Sequence, residues 1–237
     1  MKFEAVSGIL IVGQSLADVP PGDQWLTTWE SDYAATRRVP KRRDEWRLGR
    51  WTAKLAVGEW TGSTEPASIE IRPRADGAPE AFVQGEPAAC VISLSHSNGR
   101  AICAVVQAGA AVGCDIEVIE ARERSFAADY FTADELSYVD ALADDRRALA
   151  MTLVWSAKEC ALKAIGEGLR LDTREVEVDM NGVALEEAGP SWRRLEVVRR
   201  SPRTIYSGWW RVDAPFVIAV VSADVTSNAP LELPRID

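Results

Sequence analysis

The chain has 237 residues, 47% of them hydrophobic and 27% charged, with a formal net charge of -9. That is the composition of a folded globular chain of one large or two small domains, not of a disordered one. Bulk affinity for nucleic acid is not expected at this charge, and the four cysteines form no C-x-x-C pair, which fits reduced, buried thiols. The start Met1-Lys2 is interrupted by Glu4, and the apolar run Ile9 to Val12 is too short for a signal segment or a membrane span. A soluble, cytoplasmic protein is expected, with no membrane or nucleic-acid partner.

In chain order, the patterning predicts a strand near Ser7–Val12, a helix near Gln24–Arg37 and a longer helix from Pro40 to about Glu59, with Pro40 suited to a first turn. Strands follow at Ser68–Ile71, Val91–Ser95, Ala101–Gln107 and Val112–Val118, with a turn at Ser97-Asn98-Gly99 and a break at Gly109. Thr132 to Glu135 reads as a capping box opening a helix, and Asp144 to about Gly166 as a longer helix. Asn181-Gly182, between Glu175–Met180 and Val183–Glu186, predicts a hairpin. Strands at Tyr206–Val212 and Phe216–Ser222 precede a loose tail, Asn228–Asp237. The pattern is α+β: an N-terminal half at 1–109, a C-terminal half at 110–227 and a tail at 228–237. The Trp209-Trp210 pair reads as core.

Three segments carry chemistry. On a strand, Asp115 and Glu117 share a face while Cys114 and Ile116 take the other. Paired carboxylates repel unless a cation lies between them or one is protonated, and such oxygen donors suit Mg²⁺; an exposed acidic edge is the plainer alternative. On the helix around Trp155 to Lys163, Trp155, Glu159 and Lys163 fall within roughly 80° of one another. Opposite them, Ala157, Cys160, Ala161 and Ala164 permit close packing, so Glu159 can join the acidic pair and Lys163 can face a ligand. Glu159 and Lys163 are also an ordinary i,i+4 surface pair.

From Arg37 to Lys54 eight basic residues oppose only Asp44 and Glu45. Arg43, Arg47, Arg50 and Lys54 lie within about 60° on a helix, a stripe suited to phosphate, or else a solvated basic face. His96, the only histidine, follows Ser93-Leu94-Ser95 at the end of an apolar strand, where a polar turn can hold phosphate. A lone histidine is more often structural, and no G-x-S-x-G elbow supports a serine hydrolase.

Together, Ser93 to His96, Val112 to Glu117 and Trp155 to Ala164 resemble the motifs of 4'-phosphopantetheinyl transferases of the larger, pseudo-dimeric type that activate peptide and polyketide synthases. The Arg43 to Lys54 helix and the Gly77-Ala78-Pro79 turn resemble further family features, so the likeness runs from about Arg37 to Gly168. It implies two similar α+β halves related by pseudo-twofold symmetry, with coenzyme A and Mg²⁺ in the cleft between them. It also implies a monomer that transfers phosphopantetheine to a serine of an acyl, peptidyl or polyketide carrier protein, releasing adenosine 3',5'-bisphosphate. Carried across, Asp115, Glu117 and Glu159 would hold Mg²⁺, Glu159 and Lys163 would be catalytic, and Lys163 would contact the pyrophosphate. Arg43, Arg50, Lys54, Gly77, Ser95 and His96 would serve coenzyme A. Ala78 departs from the family, where a lysine is common. A non-catalytic coenzyme A or nucleotide-binding module is the alternative function.

Overall fold

The computed structural model describes residues 8–223 and 231–232. The chain divides between Ala110 and Ala111 into two compact units of mixed α/β architecture. In the first, β1 (Leu10–Ser15) leads to α1 (Thr28–Thr36) and the 22-residue α2 (Pro40–Thr61), then to β2 (Ile69–Pro73), β3 (Pro79–Val83), β4 (Glu86–Pro87), β5 (Cys90–Ser97) and β6 (Arg100–Gln107). In the second, β7 (Val112–Val118) is followed by α3 (Arg124–Tyr130), α4 (Ala133–Ala141) and the 22-residue α5 (Asp144–Ile165). Then come β8 (Val176–Val178), β9 (Arg193–Arg199), β10 (Thr204–Asp213) and β11 (Phe216–Ser222).

The first unit orders its strands β12-β1-β6-β5 and β2-β3-β4, where β12 is Leu231–Glu232, running parallel to β1. Its core gathers Leu10, Val12, Ala53, Ala56, Val57, Ile69, Ile71 and Val105 between α2 and the strands. The second unit is one antiparallel sheet, β7-β11-β10-β9-β8, with α5 packed on it and Leu153, Ala157, Cys160, Ala161, Val197, Trp210 and Val217 in the core. Trp209 and Trp210 are both buried, as their reading as core residues requires. Among the described residues no helix is long and apolar enough to cross a membrane.

Local rules account for most element ends. Thr27 and Thr132 each cap a helix, accepting from the backbone of the glutamate three residues on, whose carboxylate returns to the threonine N–H. Pro40 opens α2, and Gly62 and Gly166 close the two long helices in the left-handed region. Asn98 and Gly99, both at positive φ, form the two-residue turn between β5 and β6, in register at Ser97 and Arg100.

Other expectations are corrected. The first strand is Leu10–Ser15, not Ser7–Val12, and Ser7 lies outside the described residues. The first helix begins only at Thr28, because Trp25 and Leu26 are buried ahead of the cap. Asn181-Gly182 does not turn a hairpin. Residues Met180–Gly182 form a single 3-10 turn capped by Asp179, and β8 pairs instead with β9. Met180, Val183 and Leu185 are buried, so this segment is held by its apolar side chains rather than by a ladder. Within the expected loose tail, Leu231 and Glu232 form β12; the rest of 228–237 lies outside the described residues.

One buried device occurs in each unit. Lys54 Nζ lies 2.6 Å from Glu30 Oε2 and 2.9 Å from the Pro66 carbonyl, and also donates to the Ile69 carbonyl. Glu30 Oε1 accepts from the Ile71 N–H at 3.1 Å. Likewise Lys158 Nζ lies 2.8 Å from Glu135 Oε2 and 2.9 Å from the Thr173 carbonyl, and donates to Val176, while Glu135 Oε1 accepts from the Val178 N–H at 2.8 Å. All four side chains are fully buried. Each lysine thereby ties a long helix to the cap of the preceding helix and to a strand. Burial pulls both lysines below their usual pKa, and the glutamates oppose it.

Two measurements test this packing. Breaking a buried pair by removing one partner typically costs 3–5 kcal/mol, so Lys158→Met should lower stability in urea unfolding by about that amount; a loss under about 1 kcal/mol would show that Glu135 is satisfied without it. A Cβ at Gly113 would stand 1.8 Å from the Cys160 carbonyl oxygen. Gly113→Ala should therefore lower the melting temperature strongly, whereas Gly182→Ala, with nothing within 4 Å of its Cβ, should change it little.

Candidate functional site

The site is built where α5 crosses β7. Gly113 has no side chain, and this lets the helix backbone at Cys160 approach the strand closely. Two residues further along the same strand face, Asp115 points at the helix. Its Oδ2 accepts from Ser156 Oγ at 2.8 Å, and its Oδ1 lies 2.8 Å from Lys163 Nζ, which also donates to the Cys114 carbonyl at 3.0 Å. Cys114 and Ile116 are buried on the opposite strand face. The back of the helix packs as expected: Ala157, Cys160 and Ala161 are fully buried, and Cys160 Sγ lies 3.3 Å from the Ala219 carbonyl.

Glu117 and Glu159 flank this centre. Burial raises the pKa of Glu117, and the Asp115 charge adds to it, while Arg122 at 3.4 Å and a hydrogen bond with Trp155 pull the other way. Burial also raises that of Glu159; Lys163 opposes this and Asp115 reinforces it. For Lys163 burial works against the charge, but neighbouring Asp115 more than compensates and holds the ammonium above the ordinary lysine range. Three partly or wholly buried carboxylates thus share two cationic neighbours.

Among the described residues no three or more His, Cys, Asp or Glu side chains stand together as a ready-made metal cage. The donor chemistry nevertheless fits a hard divalent cation: every charged donor is a carboxylate oxygen, and added positive charge would offset the burial that raises the pKa of Glu117 and Glu159. Thiolate ligands are not on offer, because Cys114 and Cys160 are fully buried and burial holds the Cys160 thiol well above its usual pKa.

The phosphate-binding candidates lie in the first unit. Arg43 is exposed on the first turn of α2. Arg50 is half-buried, its guanidinium 4.8 Å from the Trp46 ring centre, and its Nε is buried without a hydrogen-bond partner. Burial lowers its pKa, against the attraction of Glu30. Lys54 is corrected out of the basic stripe, because the Glu30 pair and two carbonyls consume it in the core. Arg47 is likewise turned to Asp23 and the Pro20 carbonyl. Gly77 sits at φ 89° in the turn between β2 and β3, which explains a glycine there by backbone conformation alone. On β5, Ser93 and Ser95 face inward and His96 outward, so His96 is the side chain that reaches solvent.

Sequence reasoning passed over Ser156 and Arg122. Ser156 stands inside the quoted helical motif, but only the fold shows its hydroxyl meeting Asp115.

Thiol chemistry tests the burial at this site. Burial pushes the Cys90 thiol, on β5 of the first unit, up to about 11, so at pH 8 only about one part in a thousand is thiolate, and burial also raises the Cys160 thiol at the seam. The native protein should react with Ellman's reagent far more slowly than a free thiol, and guanidinium should release all four. Rapid reaction of Cys114 or Cys160 in the native state would show that the seam between α5 and β7 is open.

Residues 111–209 match the family model of the 4'-phosphopantetheinyl transferase superfamily. The 4'-phosphopantetheinyl transferase HetI of Nostoc sp. is 26% identical over 162 residues, 67% of this chain and 68% of its own. The 4'-phosphopantetheinyl transferase gsp of Aneurinibacillus migulanus is 28% identical over 89 residues, 38% of this chain and 37% of its own. Among solved structures, the holo-acyl-carrier-protein synthase of Thermotoga maritima aligns with a TM-score of 0.35 and 22% identity, over 53% of this chain and 75% of that one. The matched region contains the acidic strand and the helix that faces it, so over residues 111–209 the chain is similar to the 4'-phosphopantetheinyl transferase superfamily.

Proposed function

We propose that this transferase moves the 4'-phosphopantetheine group of coenzyme A to a serine hydroxyl of an acyl, peptidyl or polyketide carrier protein. The observation that carries the reading is Asp115 held between Ser156 and Lys163, with Glu117 and Glu159 alongside, inside the region that matches the family. Kinship with HetI and gsp, both named as 4'-phosphopantetheinyl transferases, supports it.

In this proposal the carrier serine Oγ attacks the phosphorus that bears pantetheine. The new P–O bond forms as the bond to the bridging pyrophosphate oxygen breaks, and adenosine 3',5'-bisphosphate departs with the bonding pair. Glu159 takes the hydroxyl proton. Lys163, kept charged by Asp115, balances the negative charge that grows on the pyrophosphate oxygens. Asp115, Glu117 and Glu159 would hold Mg²⁺, which supplies further positive charge to those oxygens. Arg43, Arg50 and His96 are the proposed phosphate contacts; Ala78 offers none, so the arginines carry more of that task. The pseudo-twofold pairing of halves, the monomeric state and a cytoplasmic location belong to the same proposal.

Incubation with coenzyme A, Mg²⁺ and a panel of apo carrier proteins, read by intact mass, should add one phosphopantetheine to a carrier serine. Coenzyme A binding with no mass gain on any carrier would favour the non-catalytic module. Glu159→Gln keeps the side-chain shape and should cut turnover on the order of 10²-fold or more; unchanged turnover removes Glu159 from the mechanism. Arg50→Ala should raise KM for coenzyme A about tenfold or more while kcat changes less, and an unaltered KM would return Arg50 to a structural role.

A further inference from the structure

We propose that Ser156 is a positioning residue for the acidic centre, its hydroxyl setting the plane of the Asp115 carboxylate. The inference rests on the divalent-ion reading given above.

Ser156 is fully buried and Asp115 nearly so. The hydroxyl holds Oδ2 at 2.8 Å while Lys163 holds Oδ1 at 2.8 Å, so the carboxylate is gripped at both oxygens by one helix. Lys163 bonds one oxygen from the end of a long side chain, whereas the Ser156 hydroxyl bonds the other from a short side chain fixed on the helix, and so restrains rotation about the Cβ–Cγ bond. Partners of this kind fix a ligand's orientation without touching the ion.

The other unit supplies an internal comparison. Thr52 stands two residues before the buried Lys54, as Ser156 stands two before the buried Lys158. Both hydroxyls are fully buried. That of Thr52 donates to the Leu48 carbonyl one turn back in its own helix, the usual resting bond of a buried helical hydroxyl. Ser156 instead reaches across to the neighbouring strand. A hydroxyl needed only to satisfy itself has the Thr52 solution available, so the bond to Asp115 calls for a role at Asp115.

The test compares Ser156→Ala with Ser156→Cys, since cysteine refills the space with a weak donor. Mn²⁺ binding is followed by electron paramagnetic resonance with coenzyme A present, alongside melting temperature. Both variants should bind Mn²⁺ about tenfold or more weakly, the range typical of lost orienting partners, with melting temperatures close to the parent. Unchanged Mn²⁺ affinity in both, or loss in Ala that Cys restores, would overturn the role, the latter leaving only packing. Asp115→Asn identifies the site: if Mn²⁺ binding to the parent ignores this change, the ion reading and the Ser156 role fall together. Phosphopantetheine transfer, assayed separately by mass, tells that outcome apart from failure of the transferase reading itself.

Discussion

The rotational setting of α5 is the constraint on which the acidic centre depends, and a buried ion pair fixes it. Lys158 and Glu135 have left water entirely, at a desolvation cost that only full hydrogen bonding can offset. That bonding is drawn from three elements at once: the Thr132 cap of α4, the Thr173 and Val176 carbonyls, and the Val178 N–H of β8. A helix so pinned cannot roll. By helical geometry Ser156, Glu159 and Lys163 lie within about 60° of one another and about 100° to 160° round from Lys158. Fixing the lysine in the core therefore aims the other three at β7. The absence of a side chain at Gly113 complements this, since a fixed rotation is useful only if the helix also comes close enough for short contacts.

The same clamp without the same chemistry appears in the first unit. Counting from the buried lysine of each long helix, Ser156, Glu159 and Lys163 correspond to Thr52, Leu55 and Glu59. The scaffold is thus shared while the acidic donor and the cation are not: leucine replaces one carboxylate and an acid replaces the lysine. Structural support and the acidic cluster are separable in this chain, with the clamp present in both units and the cluster confined to one.

What could be read from the sequence follows the range of the interactions involved. The Pro40 start of α2, the Thr132 cap and the Asn98-Gly99 turn are set within a few residues, and each stands where local rules put it. The face shared by Asp115 and Glu117, and the small-residue back of α5, follow from periodicity alone. Lys54 shows where that method fails: its angle on the helical wheel groups it with Arg43 and Arg50, but a partner on another helix, Glu30, draws it inside. Asn181-Gly182 fails for a related reason, since burial of Met180, Val183 and Leu185 outweighs a favourable turn sequence. A signal for the clamp did exist. Thr-x-x-Glu precedes a lysine embedded among small apolar residues at nearly the same separation in both units, a repeat too long and too sparse for a search limited to short periods.

The acidic centre balances two opposing demands. Burial makes Coulomb forces stronger, which favours any reaction that builds charge on phosphate oxygens. It also makes unpaired carboxylates costly, as the raised pKa values of Glu117 and Glu159 record. Lys163 neutralises Asp115 and Arg122 tempers Glu117, leaving one acidic charge more than the adjacent cations can match. Filling the seam with thiolates would invite softer metals, but the fold keeps its cysteines buried and protonated, so only oxygen is presented. An excess of buried carboxylate charge, with the Asp115 carboxylate bonded at both oxygens, is the electrostatic feature that sets this seam apart from the matching seam of the first unit.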